Sequence, residues 1–210
     1  MVNTVISTLF LRNTDIGDDG AAALAGVLKH NCTVTTLHLG HNRIGGSGSA
    51  ALANALETNT ALTALDLSEN LVDDAAAVAM ASALRVNSAL MFLQLQRCRV
   101  GRSGTAALAE ALKANATLRT LNLRENSDAG PGAAAFVATL KSNTSLTAVE
   151  VDGDVGAAGA AALRRNALLA ARAPAQRDHA ALAYVTLHGA ARGNAPPNVV
   201  VGVLAALRHS

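Results

Sequence analysis

The chain has 210 residues, 50% hydrophobic and only 2% aromatic, with a formal net charge of +2. That is enough apolar material for a sizeable core, and the scattered Lys and Arg argue against a nucleic-acid partner, which needs basic residues clustered on one face. With no Trp and many Ala, the core has to be built from thin, closely stacked layers of Leu, Val and Ala.

The first residues, MVNTVISTLFLRN, carry no positive n-region, no long apolar stretch and no small-residue cleavage pattern, so no signal peptide is expected. From Ile6 a unit begins that recurs every 28 residues, at Val34, Leu62, Leu90, Leu118 and Leu146, without an insertion. A fixed period of this length marks a solenoid. The unit from Leu62, LTALDLSENLVDDAAAVAMASALRVNSA, shows the pattern most clearly: Leu62, Leu65 and Leu67 in the spacing L-x-x-L-x-L, a turn at Asn70, then Val78, Met80, Ala81 and Leu84 at helical spacing. A period of about two that switches to 3.6 predicts a strand followed by a helix in each unit. The strands must then be parallel, with right-handed crossovers.

In chain order, the first unit places Ile6, Leu9 and Leu11 inward, with Asp18 and Asp19 where a helix starts, suited to capping and to the positive helix end. Asp73 and Asp74 have the same reading in the third unit. The helices share a last core leucine at Leu28, Leu56, Leu84, Leu112 and Leu140. The regular repeats therefore cover residues 6–145. The sixth unit, 146–181, starts in register at Leu146, Val149 and Val151, then slips: Leu163 takes the core position one residue early and Arg164 falls where leucine is expected. Beyond Pro174, Leu182, Val185 and Leu187 restore the strand spacing, so 182–210 reads as a degenerate seventh repeat or an irregular cap on one domain spanning 1–210. The nine-residue apolar stretch from Val199 to Leu207 is less than half a membrane span.

LTALDLSEN and LRTLNLREN, followed by LANALETN and LAEALKAN, resemble the leucine-rich repeat of the ribonuclease-inhibitor type. This is the 28-residue form also found in nucleotide-binding leucine-rich repeat receptors, in Ran GTPase-activating protein and in the carboxyl-terminal half of tropomodulin. The resemblance covers residues 6 to about 170. It implies an α/β solenoid, a horseshoe with a parallel sheet on the concave face and helices on the convex face, and a function in protein binding. The turn position, Thr14, Asn42, Asn70, Cys98, Asn126 and Asp154, is structural: a buried Asn there satisfies backbone groups of the neighbouring turns, which unpaired would cost roughly 1–3 kcal/mol each.

Residues between the core leucines line the concave sheet. They are Phe10 and Arg12 in the first unit, His38 and His41 in the second, Asp66 and Glu69 in the third. Phe92, Gln94 and Arg97 follow in the fourth, Asn122 and Arg124 in the fifth, Glu150 and Asp152 in the sixth. Phe10 and Phe92 among Arg and carboxylates read as exposed anchors within a polar rim, although Phe10 also reads as a cover for the open first strand. The expected function is a non-enzymatic scaffold that binds a protein partner on this face. The alternative is a structural subunit of a cytoskeletal or axonemal assembly, bound through its ends and convex helices. Because the pattern starts at residue 6 with nothing to cover it, self-association or a docked partner at the first repeat is also expected.

Other chemistry finds little support. No HExxH, CxxC, GxSxG or Walker sequence occurs, no cofactor is expected, and no nucleophile, base and orienting group converge. His38 and His41 with Asp66 and Glu69 suggest a weak metal site on paper, but two solvated histidines are the plainer reading. Arg97 and Arg99 flank Cys98 and would favour its thiolate, while Arg97, Arg99 and Arg102 together suit a phosphate or an acidic partner. Cys32 and Cys98 offer no disulfide framework, which places the chain in the cytoplasm or another reducing compartment. The sequons at Asn31, Asn115 and Asn143 all fall on the Asn that ends each helix and read as by-products of the repeat.

Overall fold

The computed structural model describes residues 5–126, 132–153 and 155–172, and the chain divides into two units, Met1–Ala170 and Ala171–Ser210. The expected seventh repeat at 182–210 and Asp154 lie outside the described residues. Through the described residues strand and helix alternate: β1 (Thr8–Phe10), α1 (Gly17–Leu28), β2 (Thr36–His38), α2 (Gly46–Leu56), β3 (Ala64–Asp66), α3 (Asp74–Val86), β4 (Phe92–Gln94), α4 (Arg102–Ala111), β5 (Thr120–Asn122), α5 (Gly132–Ser142), β6 (Ala148–Glu150) and α6 (Gly156–Arg172). The six strands form one parallel sheet in sequence order. Leu9, Leu37, Leu65, Leu93, Leu121 and Val149 stand in register across it. The architecture is the α/β solenoid expected from the 28-residue period, with the strand-and-helix unit that the resemblance to leucine-rich repeats implies.

One layer of side chains fills the space between sheet and helices. Leu37, Leu65, Leu93 and Leu121 from the strands share this core with Leu56, Leu84 and Leu140 from the helices and with Leu112 just past the end of α4, all buried. Phe136 on α5 is wholly buried in the same layer. Ala53, Ala77, Ala81 and Ala109, also buried, present small surfaces where helices lie close to their neighbours.

Two columns of asparagine hold successive repeats together. In the turn column, Asn70 accepts from the backbone N–H groups of Asn42 (2.9 Å) and Ile44 (2.9 Å) and donates to the carbonyls of Leu39 (2.8 Å) and Leu67 (2.9 Å). Asn42 repeats this against the first unit, and Asn126 donates to Leu95 and Leu123. At the end of the column Asp152 accepts from the N–H groups of Glu125 and Asn126. The helix-end column consists of Asn31, Asn59, Asn87, Asn115 and Asn143, all buried. Asn87 donates to Leu56 O (2.7 Å) and Asn59 O (3.0 Å) and accepts from its own chain at Ala89 N and Leu90 N. The sequon residues Asn115 and Asn143 use their amide nitrogens in the same way, on Leu84 O and Leu112 O.

The slip in the sixth unit has a structural consequence. Leu163 packs against the core while Arg164 is exposed, and α6 continues for 17 residues. The Arg165 guanidinium donates to Leu140 O (3.4 Å) and Asn143 O (2.9 Å), the acceptors 25 and 22 residues before it, and Asn166 donates to Asn143 O and Leu146 O. These two side chains close the helix-end column from within a helix.

The acidic pairs behave differently from the simple capping expectation. Asp73 does cap its own helix, accepting from Ala76 N (2.9 Å). Asp18 and Asp74, one residue further into their helices, reach forward to the next helix instead. Asp18 accepts from Gly45 N (2.6 Å), Gly48 N (3.0 Å) and the Ser47 hydroxyl (2.7 Å). Asp74 does the same for Gly101 N, Gly104 N and Ser103. The helices that receive these bonds, α2 and α4, have glycine at the N-cap and no side-chain cap of their own. A Cβ at Gly48 would lie 2.6 Å from Asp18 Oδ1, so the close approach requires glycine there. The Ser47 hydroxyl, joined by the Gly45 and Gly48 N–H groups, outweighs burial and holds the Asp18 carboxyl below its usual range. Burial works upward on Asp74, but the bonds from Ser103, Gly104 and Gly101 prevail and lower it as well.

Candidate protein-binding surface

The sheet face that points away from the helices carries two rows of side chains with opposite character. The strand row comprises Phe10, His38, Asp66, Gln94, Asn122 and Glu150, each the last residue of its strand. Equivalent side chains stand side by side on strands about 4.8 Å apart, and from β2 to β5 this row is closed: His38, Asp66, Gln94 and Asn122 are all buried. Phe92, at the start of β4 between Ala64 and Thr120, is 3% exposed and so is not the exposed anchor expected from its position. A side chain directed away from the helix layer is packed by its neighbours in the adjacent strands. Phe10 on the edge strand is 54% exposed and lies flat against the His38 ring, with centroids 4.6 Å apart.

His38 is therefore not a solvated histidine. It is 1% exposed, and among the described residues neither ring nitrogen has a hydrogen-bond partner. Its Nδ1 lies 3.7 Å from Asp66 Oδ2, an electrostatic approach rather than a hydrogen bond. Burial tends to raise the Asp66 carboxyl, but His38 and the hydroxyl and N–H of Ser68 outweigh it and hold it below the usual carboxylate range. Among the described residues no group of three His, Cys, Asp or Glu is placed to hold a metal ion, so the paper site of His38, His41, Asp66 and Glu69 is not assembled. Instead Arg12 bonds Glu69 (2.7 Å), and His41 lies 3.6 Å from the same carboxylate.

The turn row at the carboxyl ends of the strands is open. His41, Arg97, Arg124, Glu125 and Asp152 are exposed, and Arg12 and Glu69 half-buried. Asn13, His41, Glu69, Arg97 and Glu125, at one position in five successive repeats, have φ between 52° and 58°. This left-handed conformation costs a residue with a Cβ roughly 1–2 kcal/mol, and glycine would adopt it freely. Arg97 and Glu125 pair across adjacent turns at 2.8 Å. Beside β6 an open cavity of about 370 Å³ brings Arg124, Glu150 and Asp152 together over Val149, Val151 and Val155.

Cys98 replaces asparagine in the turn column and donates to Leu67 O (3.3 Å). Burial pushes its thiol up to about 12, against the weaker opposing effect of nearby backbone N–H groups. The flanking arginines do not activate it, because their side chains turn to solvent while the sulfur turns inward. Neither the forward-reaching Asp18 and Asp74 nor the closing role of Arg165 and Asn166 was read from the sequence. The signal available for the first was the repetition of G-x-S-G at Gly45–Gly48 and Gly101–Gly104, 56 residues apart, each 27 residues after an aspartate.

The family model described as Leucine Rich repeat matches residues 2–25, 30–53 and 58–81. Over these residues the chain is similar to the leucine-rich repeat family, and the same strand-and-helix unit recurs through the described residues beyond them. Among solved structures it is similar to the Leiomodin-1 Actin-Binding Site 2, with TM-score 0.64 and 22% identity over 70% of this chain and 89% of that one. It is also similar to the tropomodulin C-terminal domain of Caenorhabditis elegans, with TM-score 0.63 and 12% identity over 73% and 95%. No curated protein matches the sequence significantly. Among the described residues no helix is long and apolar enough to cross a membrane.

Proposed function

We propose that the chain is a non-enzymatic protein-interaction module that binds a protein partner on the concave side of its sheet. The contact is made by the turn row, Arg12, His41, Glu69, Arg97 and Arg124, with Phe10 at one end as the aromatic anchor. The observation that carries this reading is the left-handed backbone at five successive turns, four of which present charged or imidazole side chains where glycine would be free of strain. The closed strand row beneath supplies a rigid platform. The free thiols of Cys32 and Cys98 support a reducing intracellular compartment.

The test is capture of partners from the native cell with the wild-type chain as bait, beside a Phe10→Ala, Glu69→Ala, Arg97→Ala variant. All three positions lie outside the leucine core, so the melting temperature is expected to hold within a few degrees. A protein retained by the wild type and lost by the variant is the expected result; identical captures would refute the proposal.

The second reading, an assembly subunit bound through its ends, draws on the exposed Val5, Ile6 and Phe10 beside the edge strand β1 and on the fold shared with an actin-binding site of leiomodin-1. Co-sedimentation with filamentous actin, blocked by Val5→Asp with Ile6→Asp and indifferent to Arg97→Ala, would favour it. Sedimentation velocity addresses the related expectation of self-association: a monomer at every concentration would exclude it.

A further inference from the structure

We infer that the rim of the fourth and fifth repeats, Arg97, Arg99, Arg102 and Arg124, is a docking patch for an acidic segment of the protein partner. This rests on the protein-interaction reading and adds the chemistry of what is bound. Elsewhere on the rim the arginines are neutralised locally, Arg12 by Glu69 at 2.7 Å and Arg43 by Asp15 at 3.0 Å. Arg97 has Glu125, but Arg99, Arg102 and Arg124 are exposed and have no carboxylate in ion-pair range among the described residues.

The fold places the four on the turns and the helix start that follow β4 and β5. Arg97 N donates to Arg124 O (3.0 Å), so their turns are adjacent, and Arg97 and Arg99 leave the same turn on either side of the buried Cys98. Arg102 opens α4, and its position in the repeat is that of Asp18 and Asp74, which cap the next helix. A cation in the first turn of a helix opposes the helix dipole. The carboxylate that does reach this segment, Asp74, is turned to Gly101, Gly104 and Ser103 and neutralises no guanidinium.

An acidic polypeptide fits better than a nucleic acid. Glu125 lies within the patch, and Glu150 and Asp152 line a cavity with Arg124, so the guanidinium groups offer separated points of positive charge rather than a continuous basic track. The forked guanidinium suits separate carboxylates, and the chain's overall charge of +2 gives no broad basic field.

The experiment is fluorescence anisotropy of a labelled decaglutamate peptide with the full chain, beside a decathymidine oligonucleotide. The comparison is between wild type, an Arg99→Ala, Arg102→Ala, Arg124→Ala variant, and Arg43→Ala as a paired arginine from the same rim. Peptide binding that weakens about tenfold in the triple variant, stays within about twofold in Arg43→Ala and fades at about 0.5 M salt is the expected result. Absence of peptide binding, equal affinity in wild type and triple variant, or tighter binding of the oligonucleotide overturns the inference. Because the Phe10, Glu69, Arg97 variant tests the wider reading separately, the two failures are distinguishable. Partner capture that depends on those residues but not on the arginine triplet leaves the reading standing and removes the acidic-segment patch.

Discussion

The two asparagine columns do the same work with different tolerance. In the turn column the residue is Thr14 in the first repeat and Cys98 in the fourth, and Asp152 stands in at the sixth. In the helix-end column every regular repeat keeps asparagine. The hydrogen bonds explain this. A turn-column side chain looks mainly backwards: Asn70 Oδ1 and one of its Nδ2 bonds go to the preceding repeat. A helix-end side chain divides its bonds. Its Nδ2 goes back one repeat, while its Oδ1 accepts from the residues two and three further on and shapes its own chain into the next strand. At Asn31 the second role is the one seen among the described residues: its Oδ1 accepts from Thr33 N and Val34 N, and its Nδ2 turns to Thr33 Oγ1. A thiol can take over part of a backward-looking role, but it cannot fold the local turn.

The largest expected effect breaks this comparison directly. Asn87→Cys removes four side-chain bonds, three of them buried, and should lower the unfolding free energy by about 4 kcal/mol, whereas Asn70→Cys, which copies the fourth repeat, should cost about half as much. Chemical denaturation with matched slopes decides it, and equal losses would sink the distinction. The reverse substitution, Cys98→Asn, should stabilise by about 1 kcal/mol, since it restores donors and acceptors that the sulfur meets weakly.

The forward caps come next. Asp18→Asn and Asp74→Asn should each cost about 0.5–2 kcal/mol at neutral pH. Both carboxyls are lowered in the folded chain. Their contribution is therefore complete above the unfolded carboxyl's value of about 3.9 and is lost as pH falls through the folded value. The double variant should accordingly show a shallower decline in stability below about pH 4 than the wild type, and parallel acid limbs would contradict this. The smallest effect is at the buried hydroxyls of Ser49 and Thr105, which have no hydrogen-bond partner among the described residues. Thr105→Val should be neutral or stabilising by up to about 1 kcal/mol.

Period and leucine spacing made the strand register and the core legible, because both follow from a repetition that stacking enforces. Leu65 and Leu84 are buried for the same reason in every unit. What the sequence did not disclose depends on neighbours 28 residues away. Phe92 looked free because it alternates with core leucines, yet it is enclosed in the sheet. Asp18 looked like a cap for its own helix, yet its acceptor oxygens meet the next one. Arg165 lies just past the slip at Leu163 and Arg164, and its bonds to Leu140 and Asn143 become apparent only when α6 is seen to continue past the usual stop.

The forward caps give this solenoid a reading frame of two repeats. Excising residues 34–89 would set Asp18 before Gly101, Ser103 and Gly104, and the cap would be preserved. Excising only 34–61 would set it before Asp73, leaving two carboxylates competing for one helix start. Shortening or lengthening such a chain by single repeats keeps the leucine spacing and still breaks phase, so the grammar of the array is written in pairs.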